Sequence, residues 1–278
     1  MNLKTVCVIT GGGSGMGLEA AKYLSKDKII IISGRTESKL QKAIEELKSL
    51  GYEAYAFACD ISDRMSARKL AEFASSKGII KNVINCAGLS PSMGSPEQIL
   101  KINALGTVHV NEEFYKFMEN GSVILDVASN SAYVLPKFLI NKKIYELAST
   151  SEIKFLNKIL KRCKLGRTDY EKSGLAYAFS KNFVVWYAQK CAFVFGEKGI
   201  RVLSLSPGLV STDMGNLEAK EGSQMLEYGA EKRMGKPEEL GFAIASAVDE
   251  RNGYLAGVDI LCDGGCTNGK RYKKWENF

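Results

Sequence analysis

Along this chain, short runs of consecutive apolar, β-branched residues alternate with longer stretches whose apolar positions recur every three or four residues. The short runs predict strands over residues 6–10, 29–33, 54–58, 83–86, 123–127, 202–206 and 258–262. The helix-period stretches lie between most of them, over 15–25, 38–50, 66–76, 96–118, 177–195 and 237–249. Strands and helices in alternation imply an α/β fold, a parallel sheet of about seven strands with helices on both faces. Right-handed crossovers make such a sheet doubly wound and bring ligands to the carboxyl ends of its strands. Gly11, Asp60, Asn85, Ser129 and Pro207 all fall just past such ends.

The first strand runs into Gly11-Gly12-Gly13-Ser14-Gly15-Met16-Gly17 and then into a helical stretch. Strand, glycine turn and helix N-terminus together make a phosphate cradle. Glycines let the backbone approach a pyrophosphate, and the helix end offers free N–H groups and a positive dipole. A second constellation is Tyr177 and Lys181, four apart and so on one helix face. A neighbouring cation favours a phenolate over a phenol. Such a pair can move a proton to or from an alcohol or carbonyl oxygen.

Together these residues resemble the short-chain dehydrogenase/reductase family over nearly the whole chain. Thr10 to Gly17 matches the family's Thr-Gly-x-x-x-Gly-x-Gly turn, with Gly11, Ser14, Gly15, Met16 and Gly17 at the cofactor. Asp60 and Ile61 look like its adenine contacts. Asn85-Cys86-Ala87-Gly88 is similar to its Asn-Asn-Ala-Gly, with Cys86 replacing the second Asn. Asn103, Ser129, Tyr177 and Lys181 fall where the family keeps its catalytic tetrad. Pro207, Gly208, Val210 and Thr212 match the segment whose Thr meets the nicotinamide amide, and Asp263-Gly264-Gly265 matches the terminal Asp-Gly-Gly. The resemblance implies a Rossmann-type fold and hydride transfer between a nicotinamide and a substrate carbon. It assigns proton exchange to Tyr177, and a lowered Tyr pKa and a hold on the nicotinamide ribose to Lys181. Ser129 orients the substrate oxygen, and Asn103 holds a water that links Lys181 to solvent. Ser131 competes with Ser129, and Asn103 also reads as an ordinary polar helix position. His109 reads as a structural helix residue.

A dinucleotide enzyme selects its cofactor at the end of the second strand, where an acid binds the ribose 2′-OH and an Arg accommodates a 2′-phosphate. Gly34 stands in the acid's place and Arg35 follows it, which favours NADP(H) over NAD(H). Arg35 stacking on adenine or facing solvent is the alternative.

The chain has 278 residues, 45% of them hydrophobic, and a net charge of +7. No repeat or composition break divides it, so 1–278 reads as one dinucleotide-binding domain. No leader-like or membrane-length apolar segment occurs, and the 7 Cys are scattered, which reads as reduced thiols in a cytoplasmic protein. With one His, Cys262 and Cys266 make no convincing metal set, and no metal is expected. The basic, aromatic tail over 269–278 reads as folding over a neighbouring subunit or fraying.

One departure from the family stands out. Between Ser129 and Tyr177, residues 130–176 carry ten Lys or Arg against four Asp or Glu, or +6 of the net +7. Ile153, Phe155, Leu156, Ile159 and Leu160 form an apolar helical stripe within it. An insertion here is similar to that of the bacterial 3α-hydroxysteroid dehydrogenase/carbonyl reductases, where added helices lie near the cleft and alter oligomer contacts. It reads as a lid over a hydrophobic substrate whose charges attract an anionic tail, as a subunit contact, or as a solvated decoration. The basic charge brings no base-reading motif and no apolar run approaches membrane length, so neither nucleic acid nor membrane is an expected partner. The expected partner is a small-molecule alcohol or ketone, and the expected assembly is a homodimer or homotetramer. The leading reading is an NADP(H)-preferring enzyme acting on a bulky apolar substrate such as a hydroxysteroid or bile acid. The alternatives are a carbonyl, quinone or 3-oxoacyl reductase, and a non-catalytic dinucleotide-sensing protein.

Overall fold

A computed structural model describes residues 4–272 of the chain. Seven parallel strands form one sheet: β1 (Thr5–Thr10), β2 (Ile29–Gly34), β3 (Glu53–Ala58), β4 (Ile79–Asn85), β5 (Val123–Val127), β6 (Arg201–Pro207) and β7 (Asp259–Cys262). Their order is β3-β2-β1-β4-β5-β6-β7, so the winding reverses between β1 and β4, where a ligand crevice opens. This is the Rossmann-type doubly wound sheet that the alternation predicts. The fourth strand starts earlier than expected because the polar Lys81 and Asn82 interrupt its apolar run, while the ladder to β1 continues with a register shift beside Val6.

The helices are α1 (Gly15–Lys22), α2 (Glu37–Ser49), α3 (Arg64–Lys77), α4 (Pro96–Ile99), α5 (Gly106–Tyr115), α6 (Lys142–Tyr145), α7 (Glu152–Cys163), α8 (Asp169–Gly196), α9 (Asp213–Gly222), α10 (Pro237–Ala247) and α11 (Cys266–Tyr272). Helices α1, α2 and α10 pack on one face of the sheet, and α3, α5 and α8 on the other, giving two apolar cores. The helix expected over 96–118 is broken by a π-turn at Leu100–Leu105, between α4 and α5. Such turns concentrate at functional sites. Helix α8 starts eight residues before Tyr177, because Thr168 and Glu171 form a capping box at its N-terminus. The tail beyond 272 lies outside the described residues.

Part of the apolar stripe of the 130–176 segment becomes core, while Ile153 stays exposed and Leu156 and Leu160 are half-buried. Phe155, Ile159 and Cys163 of α7 are buried against α8, with Phe155 5.2 Å from the Phe183 ring and Tyr145 at 5.4 Å from the same ring. Glu152, which opens α7, accepts from His109 Nε2 at 2.9 Å and pairs with Arg64. His109 is buried and its Nδ1 lies 2.9 Å from the Ile61 carbonyl oxygen, so it pins this segment to the body of the fold. The buried part of the stripe, Phe155 and Ile159, is therefore spent on α8 and is not free to cover a substrate. Of this segment only Asn130, Ser131 and Tyr170 reach the ligand cleft. Phe155→Ala should therefore cost about 3–5 kcal/mol of stability, as for a core Phe rather than a surface one. Chemical denaturation checks this; a change under about 1 kcal/mol, the scale of a surface substitution, would show that the segment is not part of the core.

Candidate active site

The carboxyl ends of β1, β2, β4, β5 and β6 open onto one cleft of about 770 Å³. It collects every site residue expected from the sequence except Asn85 and Asn103. Its first half is built on the glycine turn. Gly11 and Gly15 have φ of 66° and 58°, which glycine adopts without strain. A Cβ on Gly17 would lie 2.7 Å from the Gly11 carbonyl oxygen, so only glycine lets α1 start so close to β1. Ser14 does not cap α1 with its side chain. The first-turn N–H groups, beside Gly13 to Gly17 in the cleft wall, are left for a ligand.

Around the rest of this half, Arg35 and Lys39 line the cleft from the end of β2 and from α2. Lys39 is a cation that the sequence reading missed; it lies one turn inside a helix whose period drew attention only to its apolar face. Ser33, also in this wall, has a buried hydroxyl without a partner. Opposite, Asp60 Oδ1 accepts from the Ser62 N–H and hydroxyl at 2.9 and 2.7 Å, which holds the Asp60-Ile61 wall in place. Thr212 caps α9 by accepting from the Gly215 N–H at 3.0 Å. Pro207 and Gly208 bring this segment back against Asp263, whose carboxylate accepts from the Gly265 and Thr267 N–H groups. The helix-start N–H groups together with the Arg35 and Lys39 cations form a donor set that fits a phosphate-bearing dinucleotide.

Asn85, expected at the cofactor, lies behind the cleft wall with its side chain engaged. Its Oδ1 accepts from Thr10 Oγ1 at 2.6 Å, and its Nδ2 donates to Thr107 Oγ1 at 3.3 Å. Thr10 in turn accepts from the Ala87 N–H at 3.2 Å. The side chain braces the ends of β1 and β4 from below, and Ala87 and Gly88 are left to face the cleft. Asn103 is likewise behind the wall. Its amide accepts from the Leu89 N–H at 2.8 Å and donates to the Leu89 carbonyl and to Ser180 Oγ, at 2.9 and 3.3 Å. With its side chain already engaged, it holds the 88–89 loop against α8; a Cβ on Gly88 would stand 3.2 Å from its Oδ1 and 3.7 Å from Lys181 Nζ.

The second half of the cleft holds the Tyr177 and Lys181 pair. Tyr177 and Lys181 sit one turn apart on α8, with Lys181 Nζ 5.7 Å from the Tyr177 ring centre. Lys181 is buried and donates to the Val127 carbonyl at 2.9 Å, which fixes it beside the end of β5. Ser129 follows β5 and accepts from the Ser131 N–H at 3.1 Å. Of the two serines it is Ser129, not Ser131, that acts on the Tyr177 phenol. Burial pushes the Tyr177 phenol above its ordinary value; the Ser129 bond pulls it down, and the charge of Glu218 pushes it further up. The expected depression of this pKa is thus outweighed, in the protein alone, by desolvation. Burial brings Lys181 down to about 8, against the opposing pull of Cys86 and Asp126.

The walls beyond Tyr177 include Met93, Ile102, Leu209, Met214, Met225 and Leu226, an apolar lining crossed by Tyr170 and Glu218. Glu218 of α9 accepts from the Ser92 N–H at 2.9 Å and from the Tyr170 hydroxyl at 3.0 Å, so it ties α9 across the cleft. The sequence offered a clue to Tyr170, which is two helical turns before Tyr177 and so on its face, but none to Glu218. Glu218→Gln removes the charge and keeps an amide able to bond both partners. The pH profile of turnover should then shift to lower pH, because the charge that raises Tyr177 is gone; an unmoved profile would exclude this coupling.

The chain matches a family model described as short chain dehydrogenase over residues 5–139 and one described as enoyl-(acyl carrier protein) reductase over 163–267. A short-chain dehydrogenase/reductase of Alternaria brassicicola is 28% identical over 270 residues, spanning 95% of this chain and 96% of that one. The 7alpha-hydroxysteroid dehydrogenase of Escherichia coli is 25% identical, spanning 93% of this chain and 92% of that one. A short chain dehydrogenase from Burkholderia cenocepacia, solved with NADP, superposes with a TM-score of 0.74 at 20% identity, over 95% of this chain and 97% of that one.

Proposed function

The chain belongs to the short-chain dehydrogenase/reductase family of oxidoreductases, and from that premise we propose that it interconverts a secondary alcohol and a ketone with NADP(H), on a bulky, apolar and uncharged substrate. The observation that carries this reading is the Ser129–Tyr177–Lys181 cluster in a cleft continuous with the glycine turn. In this reading 1–278 acts as one domain, and 130–176 is a helical extension of it.

The turn residues Gly11, Ser14, Gly15, Met16 and Gly17 hold the pyrophosphate, Arg35 and Lys39 the 2′-phosphate, and Asp60 and Ile61 the adenine side. Ala87 and Gly88, with Pro207, Gly208, Val210 and Thr212, hold the nicotinamide half. When bound, the cofactor supplies the hydride chemistry. Tyr177 exchanges a proton with the substrate oxygen, acting as acid toward a ketone and base toward an alcohol. Ser129 donates to that oxygen and orients it, because charge grows there as the carbonyl is reduced. Lys181 places its ammonium beside Tyr177 and favours the phenolate. Asn103 positions Lys181 through the 88–89 loop and does not itself touch the reactants.

The apolar lining supports a hydroxysteroid-sized, apolar substrate, and the relatedness to the Escherichia coli 7alpha-hydroxysteroid dehydrogenase points the same way. An anionic side chain, as on a bile acid, loses its support. The lysines of 130–176 do not line the cleft, whereas Glu218 does, and a carboxylate repels such a tail. A carbonyl or 3-oxoacyl reductase is the second reading, favoured by the match of 163–267 to the enoyl-(acyl carrier protein) reductase model. We further propose a cytoplasmic homodimer or homotetramer. Initial rates with NADP⁺ and NAD⁺ against neutral hydroxysteroids, bile acids and simple secondary alcohols test the reading. Neutral steroids should turn over fastest, and with NADP⁺. Preference for bile acids, or for small alcohols alone, would refute the substrate assignment.

A further inference from the structure

A second cavity, of about 530 Å³, lies within the 130–176 segment and shares no lining residue with the cleft. Its walls carry Lys143 at the start of α6, and Lys158, Lys161 and Arg162 of α7, over a floor of Ile144 and Leu147. Lys158, Lys161 and Arg162 are three and four apart, so they share one helix face, and Lys143 approaches from the neighbouring helix. The four acids of the segment do not neutralise them. Glu152 is taken by His109 and Arg64, Asp169 by Lys172, and Glu171 by the N-terminus of α8, while Glu146 is not in the cavity wall. Arg162 donates to the Lys158 carbonyl at 3.2 Å, and this backbone contact leaves its charge uncancelled. Like charges at this helical spacing destabilise a helix. Packing alone therefore does not favour the arrangement, whereas an anion seated among the four cations would reverse its sign.

We propose that this cavity binds a small anion that carries a phosphate group on a short aliphatic part. The convergent lysines and the Arg fork suit phosphate oxygens. The Ile144 and Leu147 floor suits methylene groups, and the volume is that of a small-molecule site. No aromatic side chain lines the cavity, which removes the stacking platform that a nucleobase would use. The cations border a pocket, with Lys143, Lys158 and Lys161 exposed at its rim, and a pocket suits a soluble anion better than a membrane surface.

The test is titration calorimetry of the full chain with hexyl phosphate and with inorganic phosphate, under saturating NADP⁺ so that the glycine turn cannot take the probe. Saturable binding is expected, with hexyl phosphate tighter than inorganic phosphate. In the Lys158→Glu/Lys161→Glu double variant, hexyl phosphate should bind about tenfold more weakly or worse, with turnover unchanged. Lys143→Glu, on the other helix, should weaken it in the same direction and stands in if the double variant does not fold. Equal affinity in wild type and variants, or no binding of either probe, overturns the proposal. So does binding to phosphatidylglycerol vesicles by a chain that takes up no hexyl phosphate, which would assign the charge to a membrane surface.

Discussion

Tyr177→Phe should lower turnover by about three orders of magnitude or more and leave NADP⁺ affinity within about twofold. Positioned proton transfer contributes roughly 10²–10⁴-fold to such reactions, and Phe removes the one phenol placed beside both Ser129 and Lys181. The ring itself is retained, so the packing of α8 and the volume of the cleft change little. Burial already holds this phenol above its ordinary range, and no other hydroxyl in the cleft stands one helical turn from a buried ammonium. Steady-state rates with fluorescence titration of the cofactor separate the two effects. Normal turnover in the variant would refute the mechanism, and loss of cofactor binding with turnover would mean that Tyr177 acts by structure.

Arg35→Ala should weaken NADPH by roughly 10–100-fold, the worth of a charge-assisted phosphate contact, with little change for NADH. Two features make the effect large. Gly34 leaves no carboxylate at the end of β2 to repel a 2′-phosphate, and the other nearby cation, Lys39, lies 4.0 Å from Asp213 and is partly spent on it. Lys39→Ala should show the same discrimination with a smaller amplitude. Equal losses for the two cofactors, measured by titration, would place Arg35 against the adenine and not the phosphate.

The cleft residues that face a ligand through the backbone, or through a side chain on a short turn, were legible in advance. Gly11, Gly15 and Gly17 are forced by local geometry, and Tyr177 and Lys181 by helical period. Asn85 and Asn103 lie behind the cleft wall for one reason. A buried amide spends its donors and acceptors on whatever backbone or hydroxyl the fold brings near, and Thr10, Leu89 and Ser180 are distant from them in sequence. Glu218 was invisible for the converse reason. It belongs to no motif, and it becomes a cleft residue only because α9 lies opposite Ser92 and Tyr170.

The 130–176 segment divides the two kinds of information most clearly. Its charge excess and its apolar stripe are properties of residue order, and both are present in the fold. Which surface the stripe covers is a matter of competition among apolar partners, and Phe183 and its neighbours on α8 win that competition over the cleft. The strand alternation, the glycine turn and the Tyr–Lys spacing depend on contacts within a few residues, so the sequence by itself determined them. The engagement of Asn85 and Asn103, the Glu218 tie and the burial of α7 depend on contacts between residues far apart in the chain. Only the tertiary structure decided these, because each is settled by which distant groups can satisfy a buried polar atom or fill an apolar face.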